Sequence, residues 1–432
     1  MEAVMIGLFL AGLFLCLLFQ WPILAAIAAG FFLFFGYGLW RRHSFRELLR
    51  VSWHSVRQIR QILLLFLLIG MFTACWRSAG TIPLIVGCSV QYIAPPVVYL
   101  MSFCLNCLIS VLTGTAFGTA AVMGVICMSV SSAMQMDPVI TGGAILSGVY
   151  FGDRCSPVST SALLVAGITR TEIYRNLVCM VRDSWQPFLL SCLVYLLLAT
   201  GTAGQAVDTA YLLEAAGQVF QLSWLVLLPV LVLFLCAAIR VPVKWMMLLS
   251  ILAAILVSIV VQGDSWGQIL HFLWSGYHAE QTAAAGLFNG GGIYSMLNVT
   301  AIVCLASCYA GLFECTGLLE GLTRRLQHLQ QYASVYSCYV IAALLTGVVA
   351  CNQTLTILLT QQLCKNMVQD SQLAARYLED SAVVLAALIP WSIAGAVPLA
   401  TVGAPTASIL AASYLYLLPC WQLWHRRRKS DG

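Results

Sequence analysis

Charge is what this sequence has least of. Of its 432 residues only 9% are Asp, Glu, Lys or Arg and 61% are hydrophobic, whereas an ordinary soluble domain is about 25% charged. That excludes a soluble globular protein and leaves a polytopic membrane protein. Enzyme signatures are lacking as well: the chain has no HExxH, no P-loop and no GxGxxG in a strand–helix context. It therefore offers no motif for ATP, zinc or a dinucleotide. A primary pump and a membrane metalloenzyme are disfavoured, no cofactor is expected, and the protein is read as a non-enzyme. Paired loop cysteines are lacking too. Most of the 17 cysteines, among them Cys16, Cys75, Cys127, Cys236 and Cys304, lie inside apolar runs, which argues against a disulfide framework. Cys104 and Cys107 form a CxxC, but within LMSFCLNCLIS, where they are read as small packing residues of a membrane helix rather than metal ligands.

What is present is a series of apolar runs on the scale of a membrane span, roughly 17 to 25 residues each. They fall near 4–19, 21–40, 62–76, 95–112, 117–130, 185–198, 224–239, 245–261, 293–313, 332–349 and 405–423. The first is read as a retained span, because no small-residue cleavage site follows and Gln20, Trp21 and Pro22 lead into another apolar run. The net charge is +5, but the placement of the basic residues says more than their sum. Arg41, Arg42, Arg46, Arg50, Arg57 and Arg60 fill one hydrophilic segment and Arg170, Arg175 and Arg182 another. Further clusters are Arg240 with Lys244, Arg324 with Arg325, Lys365 with Arg376, and the terminal HRRRK. By the positive-inside bias these segments are cytoplasmic. Segments 201–221 and 262–292 hold Asp208, Glu214, Asp264 and Glu280 but no Lys or Arg, so they belong outside. Both termini are then expected in the cytoplasm, and the basic tail marks topology rather than a nucleic-acid patch. Residues 51–61, with Trp53, Val56 and Ile59 among Arg57 and Arg60, are expected to form a basic amphipathic helix on the inner leaflet, with a solvated loop as the alternative.

Four polar interruptions do not fit plain spanning helices. LTGTAFGT at 112–119 and GVYFGDRCSPVSTS at 148–161 sit in the first half; VVACNQTLT at 348–356 and RYLEDSAVVLAALIPWSIAGA at 376–396 sit in the second. Such pairs in corresponding places point to a transporter built from inverted repeats, because backbone freed by a broken helix near the midplane can bind a substrate or ion. The bland alternative for any one of them is ordinary Gly and Thr helix packing. The fold expected is an all-α polytopic membrane protein: an inverted-repeat secondary transporter with broken helices or re-entrant hairpins and about 10 to 12 spans. Its expected parts are 1–61 (N-terminal spans and a basic cytoplasmic segment), 62–200 (first repeat) and 201–432 (second repeat).

The stretches YFGDRCSPVST, RYLEDSAVVLAALIPWSIAG and GTAFGT resemble the NhaC family of sodium/proton antiporters within the ion-transporter superfamily. The likeness in order and spacing covers about residues 113–419. It implies a secondary transporter of the cytoplasmic membrane that exchanges Na⁺ for H⁺ by alternating access. The sequence also departs from the family pattern. Where the family has an Asp after Ser-Pro-x-Ser and an Asn three residues on, this chain has Thr160 and Leu163; its Ala-Asp-Gln stretch is Cys351, Asn352 and Gln353; and Ser392 replaces the usual Asn after Pro-Trp. Two carboxylates expected near the pathway are thus absent. Fewer fixed charges would suit a weaker site, a different cation or an organic substrate.

A carboxylate at membrane depth costs about 2.5–3.5 kcal/mol on insertion scales, so one that persists is a functional candidate. Asp153, Glu379 and Asp380 are the candidates for ion and proton binding; a buried Asp can hold either a proton or Na⁺, and such competition is the minimal mechanism of an antiporter. Thr115, Thr119, Ser156, Ser159, Asn352, Thr354 and Ser392 are the expected pathway lining, offering the neutral hard oxygens that Na⁺ prefers over sulfur; no transition metal is expected. Arg154 is the expected charge partner of Asp153, or an anchor for the hairpin at the cytoplasmic edge. The alternative for that pair is a structural salt bridge tying two broken helices, and Arg376, one turn from Glu379 and Asp380, raises the same alternative there. Glu314 and Glu320 are expected to be interfacial, and His271 and His278 to sit in an exposed loop. The partners expected are Na⁺ and H⁺ or a small organic acid or amino acid, and the lipid bilayer; homo-oligomerisation is left open. A channel or a non-transporting scaffold is the competing class, but a channel needs a continuous polar lining, and here the polar residues gather at central breaks.

Overall fold

The structure is a computed structural model and describes residues 2–18, 23–201, 217–239, 241–279, 289–316, 334–365 and 367–430. Asp208, Glu214, Arg240, Glu280, Glu320, Arg324 and Arg325 lie outside the described residues, as does the side chain of Glu314. Every regular element among the described residues is helical. In the absence of water, the backbone of a spanning segment must satisfy itself, which a helix does within one segment. Among the described residues six helices are long and apolar enough to cross a membrane, and a seventh crossing results if the bent pair Ser371–Leu388 and Ile393–Val402, at 56°, counts as one. Shorter apolar helices include Leu24–Trp40, Thr160–Thr169 and Val335–Val348.

The N-terminal part comprises α1 (Glu2–Leu18), α2 (Ile23–Trp40), α3 (Phe45–Gln58), α4 (Arg60–Ser78) and α5 (Thr81–Tyr92). α3 is the expected basic amphipathic helix, begun earlier by the Ser44 cap, whose side chain accepts from the Glu47 N–H at 3.2 Å. Leu48, Ser52 and Ser55 are buried, while Phe45, Leu49 and Trp53 are exposed. α5 lies outside the expected apolar runs; it is short, and Pro83 sits in its first turn, which tolerates a proline.

The core of the fold is α6 (Val98–Thr113) against α9 (Pro138–Cys155), with α7 (Ala116–Thr119) continuing through a π turn at Ala120–Gly124 into α8 (Val125–Ala133). The expected interruption in GVYFGDRCSPVSTS at 148–161 falls in its second half: α9 runs helically through Cys155, starting at the Asp137 cap with Pro138 as its first residue. Gly148 and Gly152, one turn apart, let α6 approach closely: a Cβ on Gly152 would lie 2.5 Å from the carbonyl carbon of Ser110. These are small-residue packing contacts, and the true interruption comes only at Ser156. α10 (Thr160–Thr169) and α11 (Ile173–Gly201) follow. α11 starts well before the expected apolar window because its polar turn is partnered: Asn176 accepts from Gln372 at 2.6 Å and Asp183 meets Arg376.

Then come α12 (Leu228–Ala238), α13 (Val243–Val257), α14 (Trp266–Ser275) and α15 (Leu297–Thr316). The C-terminal part is α16 (Val335–Ala350), α17 (Gln353–Cys364), α18 (Ser371–Asp380), α19 (Ala382–Leu385) extended by a 3₁₀ turn to Leu388, α20 (Ile393–Val402) and α21 (Ser413–Ser430).

Candidate functional site

Two helix interruptions in the first half have local counterparts in the second. α6 ends at Gly114 in the left-handed region (φ 66, ψ 20), Thr115 is extended (φ −140, ψ 123), and the helix resumes at Ala116. α16 ends at Cys351 (φ 54, ψ 15), Asn352 is extended (φ −151, ψ 134), and α17 begins at Gln353. Glycine takes that first conformation at no steric cost. Cys351 does not, and it is held there by its N–H to Gly347 at 3.1 Å and by its carbonyl, which accepts from Ile393 at 2.8 Å.

The other pair is Ser156-Pro157-Val158-Ser159 and Ile389-Pro390-Trp391-Ser392. Each begins with an extended residue (φ −103, ψ 134 at Ser156; φ −86, ψ 116 at Ile389) and ends in a Ser that caps the next helix (φ −69, ψ 138 at Ser159; φ −70, ψ 138 at Ser392). Each pair of breaks is also tied internally. Val111 and Val348 each stand three residues before the left-handed residue. The Val111 carbonyl accepts from Ser156 Oγ at 2.7 Å and the Val348 carbonyl from Trp391 Nε1 at 3.0 Å. Carbonyls orphaned by a helix end are thereby satisfied inside the protein.

Asp153 lies in the last turn of α9, buried, where these segments meet. Its Oδ1 accepts from Ser159 Oγ at 3.0 Å; its Oδ2 accepts from Ser161 Oγ at 2.8 Å and from Gln353 Nε2 at 3.2 Å. Ser159 meanwhile caps α10, accepting from the N–H of Ser161 at 3.2 Å. The carboxylate therefore sits at the positive end of α10 and touches the first residue of α17, where helix dipoles favour an anion. Neutral donors surround it, and rotating the hydroxyls would turn the same Ser159 and Ser161 oxygens into ligands for a hard cation. A crevice of about 490 Å³, lined in part by Thr113, Gly118, Pro157 and Val158, adjoins the first pair of breaks.

Arg154 does not partner Asp153. Successive residues on a helix do not face each other, so its guanidinium points to the other side of α9. There it is fully buried, paired with the Asp380 carboxylate and donating to Ser184 Oγ, to the Glu379 carbonyl at 3.0 Å and to the Met180 carbonyl at 3.2 Å. It thus ties α9 to α18 and α11 in the protein interior and does not reach for the headgroups. Arg376 turns away from both neighbouring acids and makes a two-pronged pair with Asp183, at 2.9 and 2.8 Å. Glu379 is fully buried and neither carboxyl oxygen has a hydrogen-bond partner among the described residues.

Of the expected lining, Ser159 reaches Asp153, while the others are placed differently. Thr119 Oγ1 bonds Thr113 Oγ1 and the Thr115 carbonyl, both at 2.9 Å, and Thr115 Oγ1 is buried with no partner among the described residues. Asn352 and Ser392 cap helices, through Thr354 N–H at 2.8 Å and Ala394 N–H at 3.3 Å, and Thr354 is exposed. Ser161 and Gln353 were missed. Both lie inside the polar stretches already singled out, but only the fold shows which of their neighbours turn toward Asp153. Tyr150, whose hydroxyl donates to the Ala394 carbonyl at 2.8 Å, was missed for the same reason. His271 and His278 are both exposed; His278 lies in a loop as expected, whereas His271 stands on α14.

A model of the Na⁺/H⁺ antiporter family matches residues 1–201 and 148–420, which is nearly the whole sequence. The chain belongs to the Na⁺/H⁺ antiporter family. It is 27% identical over 418 residues to a protein of Haemophilus influenzae named as an uncharacterized Na⁺/H⁺ antiporter, covering 92% of this chain and 87% of that one. It is 27% identical over 400 residues to the Na⁺/H⁺ antiporter NhaC of Alkalihalophilus pseudofirmus, covering 87% and 85%. A malate-2H⁺/Na⁺-lactate antiporter of Bacillus subtilis is 22% identical over 423 residues, covering 95% and 90%. The resemblance drawn from the polar motifs is thus borne out at the level of the family.

Proposed function

We propose that this protein is a cytoplasmic-membrane secondary transporter that exchanges Na⁺ for H⁺ by alternating access, with Asp153 as the carboxylate for which the two ions compete. The observation that carries this reading is the setting of Asp153: buried at a junction of broken helices, hydrogen-bonded to Ser159, Ser161 and Gln353, and set apart from the arginine beside it in sequence. A proton and Na⁺ each neutralise such a charge, and they cannot do so together. Arg154 and Asp380 serve as the fixed scaffold, with Glu379 a second acid of the pathway. The matching dihedrals at the paired breaks support reading 62–200 and 201–432 as inverted repeats behind an N-terminal unit of 1–61. The distribution of Lys and Arg supports cytoplasmic termini.

A second reading, exchange of a small organic acid or amino acid coupled to H⁺ or Na⁺, is favoured by the neutral Thr160 and Asn352 and by the name of the Bacillus subtilis malate/lactate relative. Everted membrane vesicles carrying a pH gradient separate the two. Collapse of the gradient on adding Na⁺ or Li⁺ alone supports cation exchange. Collapse only when an organic acid or amino acid is also present rejects it in favour of the second reading.

A further inference from the structure

At the junction of α2 and α3, two ligating side chains four residues apart meet a third from a distant part of the chain. His43 lies in the turn, Glu47 in the first turn of α3, and Cys315 near the end of α15. His43 Nδ1 is 3.5 Å from Glu47 Oε2 and 3.7 Å from Cys315 Sγ, and the three ligand atoms all lie within 4.8 Å of one another. An N–H···O bond spans about 2.7–3.2 Å, so the His43–Glu47 contact at 3.5 Å is long for one, whereas 3.7 Å to Cys315 Sγ is within reach of a hydrogen bond to sulfur. A metal ion between the three accounts for both separations. With Zn–S about 2.3 Å, Zn–N about 2.0–2.1 Å and Zn–O about 2.0–2.2 Å at tetrahedral angles, the N–O and S–N edges come to about 3.4 and 3.6 Å. The observed separations of 3.5 and 3.7 Å match those edges.

We propose that His43, Glu47 and Cys315 form a binding site for a divalent transition ion of the Zn²⁺ class, with water completing the tetrahedron. The donor set decides the class: thiolate and imidazole suit Zn²⁺ and select against Na⁺, Mg²⁺ and Ca²⁺, which take oxygen. Thiolate and carboxylate also balance the two positive charges of the ion. The site is distinct from the sulfur-free surroundings of Asp153, made by Ser159, Ser161 and Gln353, and does not rest on the transport reading. Its effect would be to clip the amphipathic α3 to α15, beside the contact where Cys308 Sγ reaches the Ser52 carbonyl at 3.7 Å. No sequence pattern announces it, since a His and a Glu four apart carry no metal motif without the remote cysteine.

The test uses the full-length protein, purified in detergent without a polyhistidine tag, stripped with chelator and titrated with Co²⁺ as a spectroscopic probe. The expected result is one Co²⁺ per chain with tetrahedral d–d bands and a sulfur-to-cobalt charge-transfer band, displaced by Zn²⁺. Cys315→Ser should lose the charge-transfer band and His43→Ala should weaken binding by about tenfold or more, while both elute as monodisperse protein and melt like the wild type in chelator. Absence of Co²⁺ binding at micromolar metal, binding without the sulfur band, or a band that survives in Cys315→Ser would each overturn the proposal. Because the readout is metal binding, its failure leaves the antiport reading untouched, and loss of transport leaves the metal site untouched.

Discussion

Asp153 and Arg154 are neighbours in the chain and serve opposite sides of one helix. Asp153 turns to Ser159, Ser161 and Gln353, and Arg154 to Asp380 and Ser184. Asp153→Asn keeps the shape and one acceptor but cannot exchange a proton; Na⁺-dependent proton movement in vesicles should vanish while insertion and size-exclusion behaviour stay normal. Wild-type rates in that variant would make Asp153 structural. Ser161→Ala removes one hydrogen bond to a charged group, worth about 1.5–3 kcal/mol, and should raise the KM for Na⁺ by about tenfold with a smaller effect on the maximal rate. The buried pair behaves otherwise. Arg154→Ala breaks the buried pair with Asp380, a loss of about 3–5 kcal/mol, and should lower the thermal midpoint in detergent or prevent folding. Arg154→Met combined with Asp380→Leu should restore much of that stability, because apolar residues of similar volume replace both members of the pair. A double variant no more stable than the single would show that Asp380 is not the partner that matters.

Among the elements, breaks made by local backbone chemistry were legible and those decided by tertiary fit were not. Gly114 followed by Thr115, and Cys351 followed by Asn352, mark helix interruptions in sequence, and both take the left-handed and extended conformations that end one helix and start another. Gly148 and Gly152 carry the same sequence signal with a different cause, since what they provide is close approach to α6, and no local feature reveals the facing helix. Arg154 likewise finds a partner from the far end of the chain, which residue spacing cannot announce. The distinction can be tested with alanine. At Gly114 a Cβ would meet the Val158 side chain at 2.6 Å and its carbonyl carbon at 2.9 Å, on a φ of +66°, so Gly114→Ala should disturb both the crossing and transport. At Gly167 in α10 a Cβ meets nothing within 4 Å, so Gly167→Ala should leave transport intact and stabilise the protein by about 0.5–1 kcal/mol through helix propensity. Thermal midpoints of the two variants should therefore move in opposite directions; a fall of equal size in both would remove the argument from close packing.

For the whole molecule, one position separates exchange of Na⁺ for H⁺ from transport of an organic solute. Asn352 stands where the family pattern places an Asp, and it caps α17 immediately before Gln353, the residue whose amide reaches Asp153. An Asp there would cap the helix equally well, so Asn352→Asp should fold, and its effect should be electrostatic. At separations of about 4–8 Å, two unit charges interact by about 2–4 kcal/mol at an effective dielectric of 20, before desolvation. If the protein exchanges Na⁺ for H⁺, the second carboxylate should tighten Na⁺ binding and shift the pH profile of exchange upward, because a second negative charge also holds the proton more firmly. If the neutral site is adapted to an organic anion, the same charge repels the substrate and transport should fall sharply. Measured in vesicles across about pH 6 to 9, the two readings thus require opposite signs from one substitution, and an Na⁺ dependence that does not move would mean that Asn352 is a helix cap and nothing more.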